Sequence, residues 1–194
     1  MAKTKAKATG AVELLKEQHD KVKKAFKEFE KLDREDTEKQ QQLVQSVCED
    51  LKLHTTLEEE LFYPAAREAM KEEDLIEEAE VEHGSAKALM QQLEGMSPED
   101  PKFFATFRVL GEYLKHHIKE EENELFEQLG SGRSKVRWEE LQQQMRTMRE
   151  TLMAEMGLGA EEGEEQEQPR PATRARSGGR SRSEQSADQE ETVE

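Results

Sequence analysis

The chain has 194 residues, a net charge of −16, 38% charged and 5% aromatic residues, and one cysteine. A surface this acidic argues against a specific nucleic-acid partner or an anionic membrane partner. A lone cysteine excludes an intramolecular disulfide, and no apolar run approaches the roughly 20 residues that span a bilayer.

Residues 1–10 carry lysines but no apolar stretch after them. They are expected to form a disordered lead rather than a secretory signal, which points to a cytoplasmic location. From there to residue 156 Glu, Lys, Gln, Leu and Ala dominate and proline is scarce, which predicts an all-α fold. A first helix is expected from Val12 to Leu32. After a polar turn, a second runs from Thr37 to Met70, bent at Pro64, which has no amide hydrogen to give. A third runs from Glu73 to Leu93 and stops at Gly95. Ser97 and Pro98 read as the cap and first position of a fourth, which ends at Leu129 and has Gly111 as a weak point. Residues 130–134 break the chain. A fifth helix, Lys135 to Met156, carries an apolar stripe and Trp138 as an exposed apolar residue. It is expected to pack on the outside of the bundle, with self-association through 135–156 as the alternative. From 157 to 194 there is almost nothing to bury, so a disordered tail is expected.

The four long helices with short connections predict an up-down-up-down bundle, the core domain spanning residues 11–130, with 131–156 as an added helix. Each long helix shows a stripe at helical spacing. The first reads Val12, Leu15, His19, Val22, Phe26, Phe29. The second reads Val47, Leu51, His54, Glu58, Leu61, Ala65. The third reads Ile76, Ala79, His83, Ala86, Met90, Leu93. The fourth reads Phe103, Phe107, Leu110, Leu114, His117, Glu121, Leu125. Four of the five histidines therefore lie on apolar stripes, two of them with a glutamate one turn on. The odd helices meet their histidine early and the even ones late, so all four fall at one level of the bundle.

Several desolvated ionisable groups at one level are costly unless something compensates them, and a metal ion compensates His and Glu together. The candidate ligands are His19, His54, Glu58, His83, His117 and Glu121. Imidazole with carboxylate suits iron, manganese, zinc or copper. Six ligands exceed one tetrahedral zinc and divide into two ions, two histidines each with the glutamates bridging. That is a non-haem di-iron arrangement; zinc and manganese fit it less well. His116 faces off the stripe and reads as a non-ligand, and Glu59 and Glu122 fall one position off the ligand face and read as solvated.

The segments Leu-Leu-Lys-Glu-Gln-His19, His54-x-x-x-Glu58-Glu with Phe-Tyr-Pro64, Glu82-His83, and His117-x-x-x-Glu121-Glu with Leu-Phe126 resemble the hemerythrin family, in particular the hemerythrin-like HHE cation-binding domains. The resemblance implies a four-helix bundle around two iron ions joined by an oxo or hydroxo bridge. It implies His19 and His54 on one iron, His83 and His117 on the other, and Glu58 and Glu121 between them. Oxygen-carrying hemerythrins have a second histidine one turn after the third-helix one, where this chain has Lys87. Glu80, one turn before His83, is the candidate replacement ligand. The gap favours sensing, stress response, iron handling, or peroxide or nitric oxide chemistry over reversible oxygen carriage. The expected partner is a small diatomic or peroxide ligand. A peroxidase or nitric oxide reductase is the enzymatic alternative, and a partner-binding helical bundle the structural one.

Overall fold

The first rod of the computed structural model is α1 (Thr9–Phe29), followed by α2 (Thr37–Leu57). After α2 the chain runs without a break through a π-helical turn, Glu58–Phe62, into α3 (Tyr63–Ala69). α4 (Asp74–Glu94) is the third rod. α5 (Phe103–Glu120), a second π-helical turn (Glu121–Leu125) and α6 (Phe126–Ser131) make the fourth, and α7 (Trp138–Glu155) the fifth. The structure describes residues 9–70, 73–131 and 136–158. The expected lead up to residue 8 and the expected tail from 159 lie outside the described residues. The chain divides into a unit spanning Met1–Glu161 and a second, Glu162–Glu194, which lies wholly outside them.

The four long rods form an antiparallel ring, α1 beside α2, α2 beside α4, α4 beside α5, and α5 beside α1. Their stripes meet in two apolar clusters. One gathers Val22, Phe29, Val47, Leu51, Met90, Phe107, Leu110 and Leu114, among others. The other gathers Leu14, Leu15, Leu57, Phe62, Tyr63, Ile76, Leu125 and Phe126 with Trp138, Leu141 and Met145 of α7. Each of the four long rods passes from one cluster to the other through its histidine, so the polar layer is walled by hydrocarbon above and below. Among the described residues no helix is long and apolar enough to cross a membrane.

Four expectations change. The buried positions after Glu58 are Phe62, Tyr63 and Ala66, not Leu61 and Ala65, which are only partly buried. The π-helical turn inserts a residue, and the Tyr63 amide donates to the Glu58 carbonyl five residues back. Proline does not cause this, because the turn starting at Glu121 has the same bond from Phe126 and contains no proline. The fourth helix starts at Phe103 instead of Pro98. A helix begun at 98 would need the amide that Pro101 lacks, and Ser97 and Asp100 form a turn instead, with the Ser97 amide donating to Asp100 Oδ2 at 2.9 Å. Trp138 is buried rather than exposed, packed on Phe62 at 6.1 Å between ring centres. α7 packs within the chain against α1, α2 and the first π-helical turn. Gly111 does not weaken its helix; a Cβ there would meet the Phe26 ring at 2.8 Å, so glycine is what lets the ring lie across α5.

Candidate metal centre

The stripes place the side chains of His19, His54, Glu58, His83, His117 and Glu121 in one buried layer, each no more than 3% exposed. Helical spacing puts each glutamate one turn from a histidine of its own rod, with His54 Nε2 3.1 Å from Glu58 Oε2 and His117 Nε2 3.5 Å from Glu121 Oε2. Each glutamate also crosses to a histidine of another helix. Glu58 Oε2 lies 3.3 Å from His83 Nε2, and Glu121 Oε2 lies 3.2 Å from His19 Nε2. The carboxylates thus stand between two imidazole pairs, with His19 Nε2 and His54 Nε2 3.2 Å apart and His83 Nε2 and His117 Nε2 also 3.2 Å apart.

The outer nitrogens settle which way the imidazoles face. His19 Nδ1 donates to Glu122 Oε1 at 3.0 Å, and His54 Nδ1 to Gln18 Oε1 at 3.0 Å. His83 Nδ1 donates to Glu59 Oε1 and His117 Nδ1 to Glu82 Oε2, both at 2.9 Å. A carboxylate or an amide oxygen only accepts, so each Nδ1 carries a hydrogen and each Nε2 points inward, where a neutral ring offers its lone pair. Burial works to lower His117, but its hydrogen bond to Glu82 and the Glu121 charge raise it. Burial holds His54 far below the ordinary imidazole range, and burial together with the His117 charge holds His83 at about 4. Two lone pairs facing each other at 3.2 Å repel unless a cation lies between them. Both oxygens of Glu58 and Oε2 of Glu121 are buried and accept no hydrogen bond. Burial, then the nearby Glu121 charge, pushes Glu58 well above the usual carboxylate range. For Glu121 burial acts upward too, but the imidazoles beside it, His19 foremost, hold it at about 2. Two carboxylates forced apart in this way, among four inward imidazole nitrogens, form a donor set short of positive charge. Its chemistry fits a pair of metal cations.

The arrangement has an internal twofold. His19 and His83 correspond, as do His54 and His117, Glu58 and Glu121, Gln18 and Glu82, and Glu59 and Glu122. The outer bonds obey the same correspondence. So do Lys23, 3.2 Å from Glu122 Oε1, and Lys87, 2.6 Å from Glu59 Oε2. Glu59 and Glu122 are therefore not merely solvated, as their place beside the stripe suggested; each orients a histidine. Each was visible only as the second glutamate of its Glu-Glu pair.

The symmetry is broken at one oxygen. Tyr63 corresponds to Phe126, and both rings lie along imidazoles, Tyr63 on His83 and Phe126 on His19. Only Tyr63 has a hydroxyl, which donates to Glu121 Oε1 at 2.8 Å and lies 3.3 Å from His83 Nε2. Burial, then the Glu58 and Glu121 charges, keeps the phenol protonated. The sequence marked this position as an aromatic after the motif; the hydroxyl was the unused signal. Glu80 is not brought to the centre. It turns outward to an ion pair with Arg67 Nη2 at 2.9 Å, since its place on α4 is off the inward face. His116 is exposed and faces Glu120 at 3.2 Å.

The hemerythrin HHE cation binding domain model matches residues 10–129. A DNA nickase from Nostoc sp. (strain PCC 7120) is 26% identical over 145 residues, 75% of this chain. The chain spans only 40% of that relative's length. Among solved structures, a hemerythrin HHE cation binding domain-containing protein from Mycobacterium kansasii superposes with a TM-score of 0.64 at 23% identity. It covers 76% of this chain and 89% of its own.

Proposed function

Because the chain belongs to the hemerythrin HHE cation binding domain family, a family of metal-ion-binding bundles, we propose that its centre holds two iron ions. His19 and His54 serve one ion, His83 and His117 the other, and Glu58 and Glu121 span both. The ions would meet a small ligand, oxygen, nitric oxide or a peroxide, in sensing, stress response or iron handling. The observation that carries this reading is the set of four imidazoles with every Nδ1 hydrogen held outward and every Nε2 turned in. A bound iron pair supplies redox change and Lewis acidity toward such ligands. The chain's own residues hold the donors in one orientation, wall them with two apolar clusters, and keep a phenol hydrogen at Tyr63 beside the second pair.

That hydroxyl favours a second reading, in which the centre turns over peroxide or nitric oxide. A buried proton donor on one side only suits a reaction that consumes protons there. The test of the main reading is elemental analysis with a visible spectrum of the aerobically purified protein. About two irons per chain and the bands of an oxo-bridged ferric pair are expected. One zinc and no iron overturns it, and a colourless metal-free protein points to a structural bundle. Turnover of peroxide or nitric oxide by the iron-loaded protein separates the two readings.

A further inference from the structure

The internal twofold gives the centre two equivalent flanks, and the chain treats them in opposite ways. One flank lies between α1 and α2 and is formed by Ala11, Leu14, Leu53 and Leu57, all buried, with Gln18. α7 lies against this face and packs Trp138, Leu141 and Met145 into the same cluster as Ala11, Leu14 and Leu57. Gly10, in the first turn of α1, is so close to Gln142 that a Cβ there would collide with it. Among the described residues, α7 covers this side.

The other flank lies between α4 and α5 and has no helix over it among the described residues. Its corresponding positions are Leu75, Glu78, His116 and Glu120, with Glu82 in place of Gln18. Four positions that are apolar or neutral on the covered side are thus acidic or imidazole here. A water-sized cleft of about 10 Å³ opens between the two helices. It is lined by Glu78, Glu82 and Glu120 together with Leu75, Ala79 and Leu125, and it touches His117 and Glu121. Glu121 is 2% exposed, and its Oε2 accepts no hydrogen bond. At the surface two of these lining residues, Glu82 and Glu120, meet exposed His116, which stands beside the cleft rather than in it, and the three each offer a ligand atom within 4.8 Å of one another. Glu82 joins this group to the centre, with Oε1 3.9 Å from His116 Nε2 and Oε2 2.9 Å from His117 Nδ1.

We propose that this cleft is the port through which divalent metal enters the centre, with Glu82, His116 and Glu120 as its transient docking site. The ligand class is a hydrated divalent cation such as ferrous iron. The mouth concentrates it by charge, and its oxygen and imidazole donors replace water before the ion passes to Glu121 and His117. α7 covers the flank that the twofold would make equivalent, so of the two related flanks the ions load from the α4–α5 side. The proposal rests on the metal-centre reading and deepens it.

The experiment follows anaerobic loading of metal-free protein with cobalt(II) by stopped-flow absorption, with final content by elemental analysis. Glu82 is left intact because it also orients His117. The variant Glu78→Gln/His116→Ala/Glu120→Gln is expected to load about ten-fold more slowly and to reach the wild-type content. A control variant that removes two exposed charges from α1 and α7, Glu13→Gln/Glu139→Gln, is expected to load at the wild-type rate. If the triple variant folds poorly, the single change of exposed His116 to Ala must still slow loading. Equal rates in wild type and port variants, or equal slowing in the control variant, overturn the port while the centre stands. If wild-type protein takes up no metal, the reading of the centre falls and the port with it.

Discussion

Lys87 Nζ lies 2.6 Å from Glu59 Oε2, and Glu59 passes its other oxygen to the Nδ1 hydrogen of His83. The lysine that stands where a further ligand was expected therefore does not face the metals. Its ammonium stays near the surface and neutralises the carboxylate behind a histidine, as Lys23 does for Glu122. This contact carries the first prediction. Glu59→Ala and Glu122→Ala should each weaken metal retention about 10–100-fold, because they free an imidazole to rotate. Glu58→Ala and Glu121→Ala should lose metal almost completely. Exposed Glu60→Ala is the control. Competition with a chelator measures all five, and retention in Glu59→Ala equal to that in Glu60→Ala would remove its orienting role.

The Tyr63 hydroxyl gives the second prediction. Tyr63→Phe makes the two halves alike and takes one donor from Glu121. The metal-free protein should lose about 1–3 kcal/mol, the cost of leaving a buried acceptor unpaired. Denaturant melts of metal-free wild type and variant check this, and no loss would mean that Glu121 finds another donor. If peroxide or nitric oxide turnover exists, it should fall in this variant with metal content unchanged.

Trp138 anchors α7 on Phe62. Trp138→Ala should cost about 3–5 kcal/mol and lower the melting temperature. Trp138→Phe should cost far less, since the indole N–H has no acceptor among the described residues to lose. Similar losses in both variants would mean that the indole N–H is satisfied.

Burial, then the Glu94 charge, pushes the Cys48 thiol up to about 11 from an ordinary 9.0. Its folded value exceeds its unfolded one, so its contribution to stability is complete below pH 9 and drains as pH rises toward 11. At pH 8 its alkylation in the native protein should be about 100-fold slower than in the unfolded chain, from the thiolate fraction alone. A native rate matching the unfolded one would show that this helix opens freely.

The bundle and its inner residues were legible because helical periodicity alone carries them. His19, His54, His83 and His117 stand on apolar stripes, and all six buried residues of α4 were on its expected stripe. The π-helical turns were not legible. A bond from Tyr63 back to Glu58 needs no particular residue, so the shift from Leu61 to Phe62 has no signature in composition. Glu59 and Glu122 were misjudged for a related reason. A glutamate beside a stripe looks the same whether it meets water or an imidazole, and only the neighbouring helix decides. Trp138 was misplaced because its burial depends on where α7 lies, which its own sequence does not fix. Pro101 was readable but outweighed by the Ser97-Pro98 pair.

The layer of histidines and glutamates lies between two hydrocarbon clusters, and every rod crosses it. Cations bound there hold all four rods at once, whereas an empty layer leaves like charges and opposed lone pairs between two otherwise sound halves. Ions that bind only the folded chain add to its stability in proportion to the logarithm of their concentration. Proteases in a cell cut the open form, whose population falls as that stability rises. If the proposed ions bind, the abundance of the chain is expected to follow the metal supply around it, falling in a cell short of the ion without any change in its synthesis.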